Sequence, residues 1–268
     1  ETEDEDYIYF KKRSKLYKEY FDQETKFMRG KLSDGSWRTP FDPVSAQHRV
    51  NDYCEGNAWQ YLWLVPHDPE GLIELLGGDE AFNEKLDELF SMSSEQEIGA
   101  SMDITGLIGQ YAHGNEPSHH TTYMYAFSGQ PYKIADKVRY INNELYTDQP
   151  DGLSGNEDCG QMSAWYILSS MGFYPVNPSN GAYVFGSPLF DEVVLDIPGQ
   201  KQFKISAKNN SDKNIYIQSV SLNGEEHKYS YITHKEILKG GELEFTMGPK
   251  PNKDFGKEKK YRPESIVY

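Results

Sequence analysis

The stretch QMSAWYIL, residues 161–168, holds no acidic or basic side chain. A helix without a charged face is normally buried on every side. Two more stretches share this character: NAWQYLWLV at 57–65, apolar nearly all round, and HTTYMYAF at 120–127. Elsewhere the pattern differs. FNEKLDELF (82–90) spaces Phe82, Leu86 and Leu89 at helical intervals. KIADKVRYINNELY (133–146) aligns Ile134, Val138, Ile141 and Leu145 on one stripe with charges opposite. YFKKRSKLYKEYFD (9–22) reads as an aromatic-rich amphipathic helix, and DPEGLIELL (68–76) opens as an ordinary one. Half-exposed and buried helices thus alternate, as an α/α toroid requires. About three inner–outer pairs are visible, and a closed ring of six would need more chain.

After MGFYPVNPSNGAYVFGSP (171–188) the period changes. EVVLDI, KQFKISA, NIYIQSVSLNG and GELEFTMG alternate apolar and polar residues, separated by PGQ, NNSDKN and KGG. Phe203, Ile205 and Ala207 share one face, as do Leu243, Phe245 and Met247. The expected fold is mainly α with a β unit: part of an (α/α)6 toroid over 1–175, then a small antiparallel β-rich domain over 176–268.

Each buried stretch is preceded by an acid with Gly and Asn beside it. Glu55 stands in NDYCEGNAWQYLW, Glu116 in YAHGNEPSHHTTYMY and Asp158 in SGNEDCGQMSAWY. One explanation is helix capping, in which a polar side chain satisfies the first free N–H groups. The other is chemical. In an up-and-down toroid, alternate helices run the same way, so the three acids would share one mouth. Crowded carboxyls repel one another, so one stays protonated while another stays ionised. That pairing is the equipment of a glycosidase. Such a set of hard oxygen donors could also hold Ca²⁺.

Other polar residues invite weaker readings. HGNEPSHH suggests zinc through His113, His119 and His120, but HExxH is absent and adjacent histidines on a helix diverge. His113 or His119 is better placed to meet a sugar hydroxyl or cap a helix. Trp59, Trp63 and Trp165 read as core, whereas Trp37, in GSWRTPFDP, is a candidate pocket wall. Asp42 and Asp52 read as loop turns or rim contacts, and Asn209-Asn210-Ser211 fits a glycosylation sequon.

Composition narrows the partners. The 268-residue chain carries a net charge of −15, which disfavours nucleic acid and anionic membranes. No apolar run approaches the roughly 20 residues of a membrane span. The chain opens ETEDED without Met, as a piece of a longer protein would, so a missing leader carries no information about secretion. Cys54 and Cys159 form no disulfide framework. Each adjoins a candidate acid, and each is expected to be a packed thiol.

The motifs EGNAWQYLWLVPHD, GNEPSHH and SGNEDCGQMSAWYILSSMGFYPVNPSNGAYVFGSP resemble glycoside hydrolase family 92, the calcium-dependent exo-α-mannosidases, across most of residues 37–225. The resemblance implies a toroid preceded by a β-sandwich that this chain lacks. It implies inverting removal of terminal α-mannose from N-glycan or mannan-type glycans, in the periplasm or outside the cell, with a signal peptide upstream. Glu55 would be the general acid and Asp158 the general base, with Asn156 where some members carry a further Asp. Asn115 and Glu116 would be calcium ligands. Trp37, His113, Glu116 and Glu157 would meet substrate. His113-Gly114 stands where α1,2-specific members have His-Glu, which leaves the linkage open. The rival readings are a toroid glycosidase for another sugar, such as a glucoside, and a non-catalytic sugar-binding or scaffold module.

Overall fold

The computed structural model describes residues 4–48 and 50–266. Its helices are α1 (Glu5–Arg13), α2 (Ala58–Tyr61), α3 (Pro69–Leu76), α4 (Asp79–Ser91), α5 (Tyr132–Glu144), α6 (Gln161–Met171) and α7 (His234–Ile237). Short strands are β1 (Phe21–Asp22), β2 (Phe27–Met28), β3 (Leu107–Ile108), β4 (Tyr111–Ala112), β5 (Phe173–Tyr174), β6 (Ala182–Phe185), β10 (Glu225–Glu226) and β11 (Tyr231–Thr233). Longer ones are β7 (Glu192–Ile197), β8 (Lys201–Lys208), β9 (Tyr216–Leu222) and β12 (Gly241–Gly248). The architecture is mixed rather than mainly α, because several segments that read as helices are short or irregular.

Each departure has a local cause. The 57–65 stretch is largely buried, but its helix ends at Tyr61. Pro66 disfavours helical backbone at Val65, and the chain tightens there with Val65 N–H on the Trp63 carbonyl. Thr121–Ala126 is a fully buried 3-10 helix, stopped by Gly129 and Pro131. Helix α1 buries none of its residues, so 9–22 is not one amphipathic helix. Helix α6 forms as expected yet is not buried on every side. Met162, Trp165 and Ser169 face inward, while Ser163, Ala164 and Ile167 are exposed. The amphipathic helices match their pattern: Phe82, Leu86 and Leu89 of α4, and Ile134, Val138 and Ile141 of α5, are buried. Asp68 caps α3 through Gly71 N–H, at 3.0 Å. Among the described residues no helix is long and apolar enough to cross a membrane.

The alternating strands form a five-stranded sheet in the order β10-β9-β12-β8-β7. It is not wholly antiparallel, since β12 lies parallel to β8, pairing Leu243 with Ile205 and Phe245 with Ala207. The chain leaves β8, forms the antiparallel β9 and returns through β11 and α7 before entering β12. Phe203, Ile205, Leu243, Phe245 and Met247 fill one core with Val220 of β9. A second, larger core gathers Trp59, Trp63, Phe82, Tyr111, Tyr123, Ile134 and Trp165.

A three-stranded sheet, β11-β6-β5, is the wall between the two cores. Strand residues alternate faces, so Tyr174 and Val184 join the helical core while Phe173 and Phe185 join the other. Arg139 of α5 adds a clamp across the same boundary. Its Nε donates to Ser187 Oγ (2.9 Å), and its guanidinium also meets the Pro188 carbonyl and Asn210 Oδ1. Phe245 is fully buried against Phe185 in an edge-to-face pair with 5.1 Å between ring centres. Phe245→Ala should cost about 3–5 kcal/mol of unfolding free energy, read by chemical denaturation. A loss below about 1 kcal/mol would contradict the core assignment.

Candidate active site

The capping explanation can be tested at each acid. Before α2 the cap is Asn57. Its side chain accepts from Gln60 N–H (3.1 Å), and Gln60 Oε1 accepts from Asn57 N–H (3.0 Å), a reciprocal capping box. Glu55 is therefore free of capping. Before α6, Glu157 takes that role: its carboxylate accepts from Ser163 N–H (3.1 Å) and Ser163 Oγ (2.8 Å). Both oxygens thus serve its own helix, and Glu157 is a capping residue, with a lone pair left on each oxygen. Asp158 makes no cap, and Gly160 stands at the cap position without a side chain to offer. Glu116 opens a 3-10 turn, Glu116–Ser118, that has no side-chain cap.

The three acids share one neighbourhood: Asp158 and Glu55 act electrostatically on Glu116, and Asp158 acts on Glu55. Two glycines permit this. A Cβ on Gly114 would lie 1.8 Å from Thr105 Oγ1 and 2.3 Å from the Ser154 carbonyl oxygen. A Cβ on Gly155, which has φ +94°, would lie 2.9 Å from the Gly114 carbonyl oxygen. The HGNE and SGNED loops thus touch backbone to backbone, and Glu116 and Asp158 ride on them. Asn115 ties in the third acid, its Nδ2 donating to the Glu55 carbonyl at 3.1 Å. Asp158 and Cys159 have φ of +48° and +59°, a left-handed geometry costing about 1–2 kcal/mol for a non-glycine residue. Strain of this kind collects at functional sites.

Burial, helped by the Asp103 and Asp158 charges, raises the pKa of Glu55, against a smaller opposing pull from His48. Burial and the neighbouring Asp158 likewise raise that of Glu116. Asp103 and His48 lie outside the residues singled out above. They belong to one chain of contacts: Ser101 Oγ donates to Asp103 Oδ2 (2.7 Å) and lies 3.3 Å from His48 Nδ1. No helical period or glycine signature marks SMDITG or AQHRV, so only the folded loops reveal them.

Two other expectations are corrected. His113 is fully buried, and both ring nitrogens are taken, Nδ1 by Tyr111 OH (2.9 Å) and Nε2 by Tyr146 OH (2.7 Å). It has no nitrogen for a sugar hydroxyl. Cys54 and Cys159 are exposed, not packed. Trp37 is half-exposed, with Lys31 and Arg29 over its ring, in a hairpin joined to Asp52 by the Arg38 ion pair. None of these contacts brings it to the three acids. Asp42 serves a turn, accepting from Val44 N–H, whereas Asp52 bridges two segments, accepting from Gly30 N–H and pairing with Arg38. His119 and His120 bond the His113 and Trp63 carbonyls, which removes zinc ligation by that trio.

The donors around Asn115 suit a hard cation in kind: one amide oxygen and the Glu116 and Asp158 carboxyls. They fall short in number. Among the described residues no group of three or more His, Cys, Asp or Glu is arranged to hold a metal ion. Backbone, water or substrate oxygens would complete such a site.

Neighbouring carboxyls, two of them with pKa values raised by burial and by the charges around them, are the groups that acid–base chemistry uses. The sequence profile of the glycosyl hydrolase family 92 catalytic domain matches residues 1–249, and the chain belongs to that family. Among solved structures it resembles a family 92 α-mannosidase from Bacteroides thetaiotaomicron in complex with mannoimidazole, at 42% identity and TM-score 0.92, over 97% of this chain and 35% of that one. It also resembles a family 92 inverting mannosidase from the same organism, at 38% identity and TM-score 0.85, over 97% and 36% of the two chains. An uncharacterized secreted glycosidase from Arthroderma benhamiae is 31% identical over 235 residues, 83% of this chain and 28% of that protein. The chain thus spans about a third of the length of these relatives.

Folding raises the pKa of both Glu55 and Glu116. Groups of this kind contribute stability at low pH that is lost as pH climbs past the ordinary value of 4.5 and through the folded-state value. In chelator-containing buffer, Glu116→Gln should melt higher than wild type at pH 7, and the gap should close toward pH 4. Thermal melts across that range check this. A gap that is constant or widens on acidification would refute the assignment.

Proposed function

We propose that the chain carries the acid–base machinery of an exo-acting α-mannosidase that removes terminal non-reducing mannose from N-glycan or mannan-type glycans with inversion. The meeting of Glu55, Glu116 and Asp158 at loops joined by Gly114 and Gly155 carries this reading. Similarity to an α-mannosidase described with mannoimidazole supports mannose as the sugar. The similar inverting mannosidase supports the stereochemistry, and the similar secreted glycosidase supports a periplasmic or extracellular location.

In this scheme Glu55 is the general acid. Burial and the neighbouring Asp103 and Asp158 favour its protonated form, and it gives that proton to the departing glycosidic oxygen. Asp158 is the general base, taking a proton from the water that attacks the anomeric carbon from the opposite face. An inverting site needs its carboxyls about 6.5–9.5 Å apart to admit that water, a span that residues on separate loops can provide. Asn115 and Glu116 would hold calcium, which when bound would polarise sugar hydroxyls and favour a distorted ring. Residues 1–175 would take their place in an (α/α)6 toroid of a longer chain bearing a β-sandwich, with 176–268 as a C-terminal β-rich domain. Trp37 remains a candidate pocket wall in that context.

In the full-length protein, Glu55→Gln and Asp158→Asn should each lower kcat on an unactivated α-mannoside by about 10²–10⁴-fold. On an α-mannoside with a highly activated aryl leaving group, the Glu55→Gln deficit should shrink, because no protonation is needed, while the Asp158→Asn deficit should persist. NMR should show β-mannose released first. Wild-type turnover in either variant would refute its assigned role. Chelation should lower activity and Ca²⁺ restore it. Full activity after exhaustive chelation would remove calcium from the scheme.

A further inference from the structure

His119 lies three residues beyond Glu116 and is 2% exposed, with every polar atom engaged. Its backbone N–H donates to the Glu116 carbonyl (3.1 Å). Its Nε2 lies 2.9 Å from the His113 carbonyl oxygen, which can only accept, so Nε2 carries the proton. Nδ1 is then an acceptor, and Gln161 Nε2 donates to it at 3.0 Å. The amide's other hydrogen goes to Tyr174 OH, at 3.1 Å. Burial pushes the pKa of His119 down to about 4, in keeping with one proton and one lone pair. Gln161 in turn reaches back, its backbone N–H donating to the Asp158 carbonyl at 3.3 Å. The His119 carbonyl accepts from Trp165 Nε1 (2.9 Å), one turn further along α6.

The contacts Glu116–His119–Gln161–Asp158 form an unbroken path between the two acids. We propose that His119 is a positioning residue for the reaction, setting the separation of Glu116 and Asp158 by bolting the 113–119 segment to the start of α6 through Gln161. This rests on the reading of Asp158 as the base. It also gives the first histidine of GNEPSHH a role that is neither metal ligand nor sugar contact. The imidazole suits the task because it offers a donor and an acceptor on opposite edges of a rigid ring. Glutamine can supply the same donor to the His113 carbonyl, and phenylalanine can supply neither donor nor acceptor.

The test uses α-mannoside hydrolysis by the full-length protein. His119→Phe should lower kcat by about 100-fold, the scale of an ångström of misplacement, with KM held within about threefold and near-wild-type circular dichroism. His119→Gln should recover most of kcat. Should His119→Phe fail to fold, Gln161→Met cuts the same path from the half-buried side and should lower kcat selectively. Wild-type kcat in folded His119→Phe or Gln161→Met, beside an inactive Asp158→Asn, overturns the positioning role alone. Equal proportional changes in kcat and KM, or no rescue by glutamine, also overturn it. Normal turnover in Asp158→Asn as well would overturn the base assignment beneath it.

Discussion

The contact that allows no side chain organises the half of the molecule that carries the candidate site. Gly114 and Gly155 let two loops approach until a single added carbon would overlap the Ser154 carbonyl or Thr105. Glu116 follows the first loop by two residues, and Asp158 follows the second by three. Their carboxyls are close because their backbones are. A repulsive pair of acids is not an arrangement that side chains would choose. It is imposed by packing between loops whose ends are fixed by α5, α6 and the buried tyrosines. Burial first, and the neighbouring acids after it, raises the pKa of Glu55 and Glu116, and Asp158 and Cys159 take left-handed backbone.

Much of this was legible in the sequence, though for a different geometric reason. The recurrence of Gly and Asn beside an acid pointed to Glu55, Glu116 and Asp158; the loops of Glu116 and Asp158 do touch, and Asn115 ties the Glu55 backbone to them. The expected cause was three parallel buried helices. In fact α2 has a single turn, the 120–127 stretch is 3-10, and α6 exposes Ser163, Ala164 and Ile167. A charge-free stretch reports an apolar environment, not the number of helical turns. Pro66 and Gly129 shorten two of the three, and neither changes which residues are buried.

Periodicity served best where a segment has one neighbour on one face. The stripes of α4 and α5 and the alternating faces of β8 and β12 were all readable. Pairing direction was not, because a strand presents the same alternation to parallel and antiparallel partners. The parallel β8–β12 pair depends on the path through β9 and β11. The boundary near residue 176 is similarly two-sided: β5 and β6 send alternate residues into both cores, so the change of period marks a shared wall rather than a linker.

The acids and the histidines failed and succeeded in complementary ways. At an acid, the sequence leaves capping and catalysis open, and the outcome turns on whether a neighbour takes the cap. Asn57 does so before α2 and Glu157 before α6, which leaves Glu55 and Asp158 without a capping duty. At a histidine, burial decides. His113 gives both nitrogens to tyrosines, and His119 gives one to a carbonyl and one to an amide. Polar groups this deeply buried must be satisfied, since an unpaired one costs about 1–3 kcal/mol. Satisfying them in pairs ties segments together that would otherwise be held only by non-directional contact. The imidazoles therefore supply directional stiffness to the loops that carry Glu116 and Asp158.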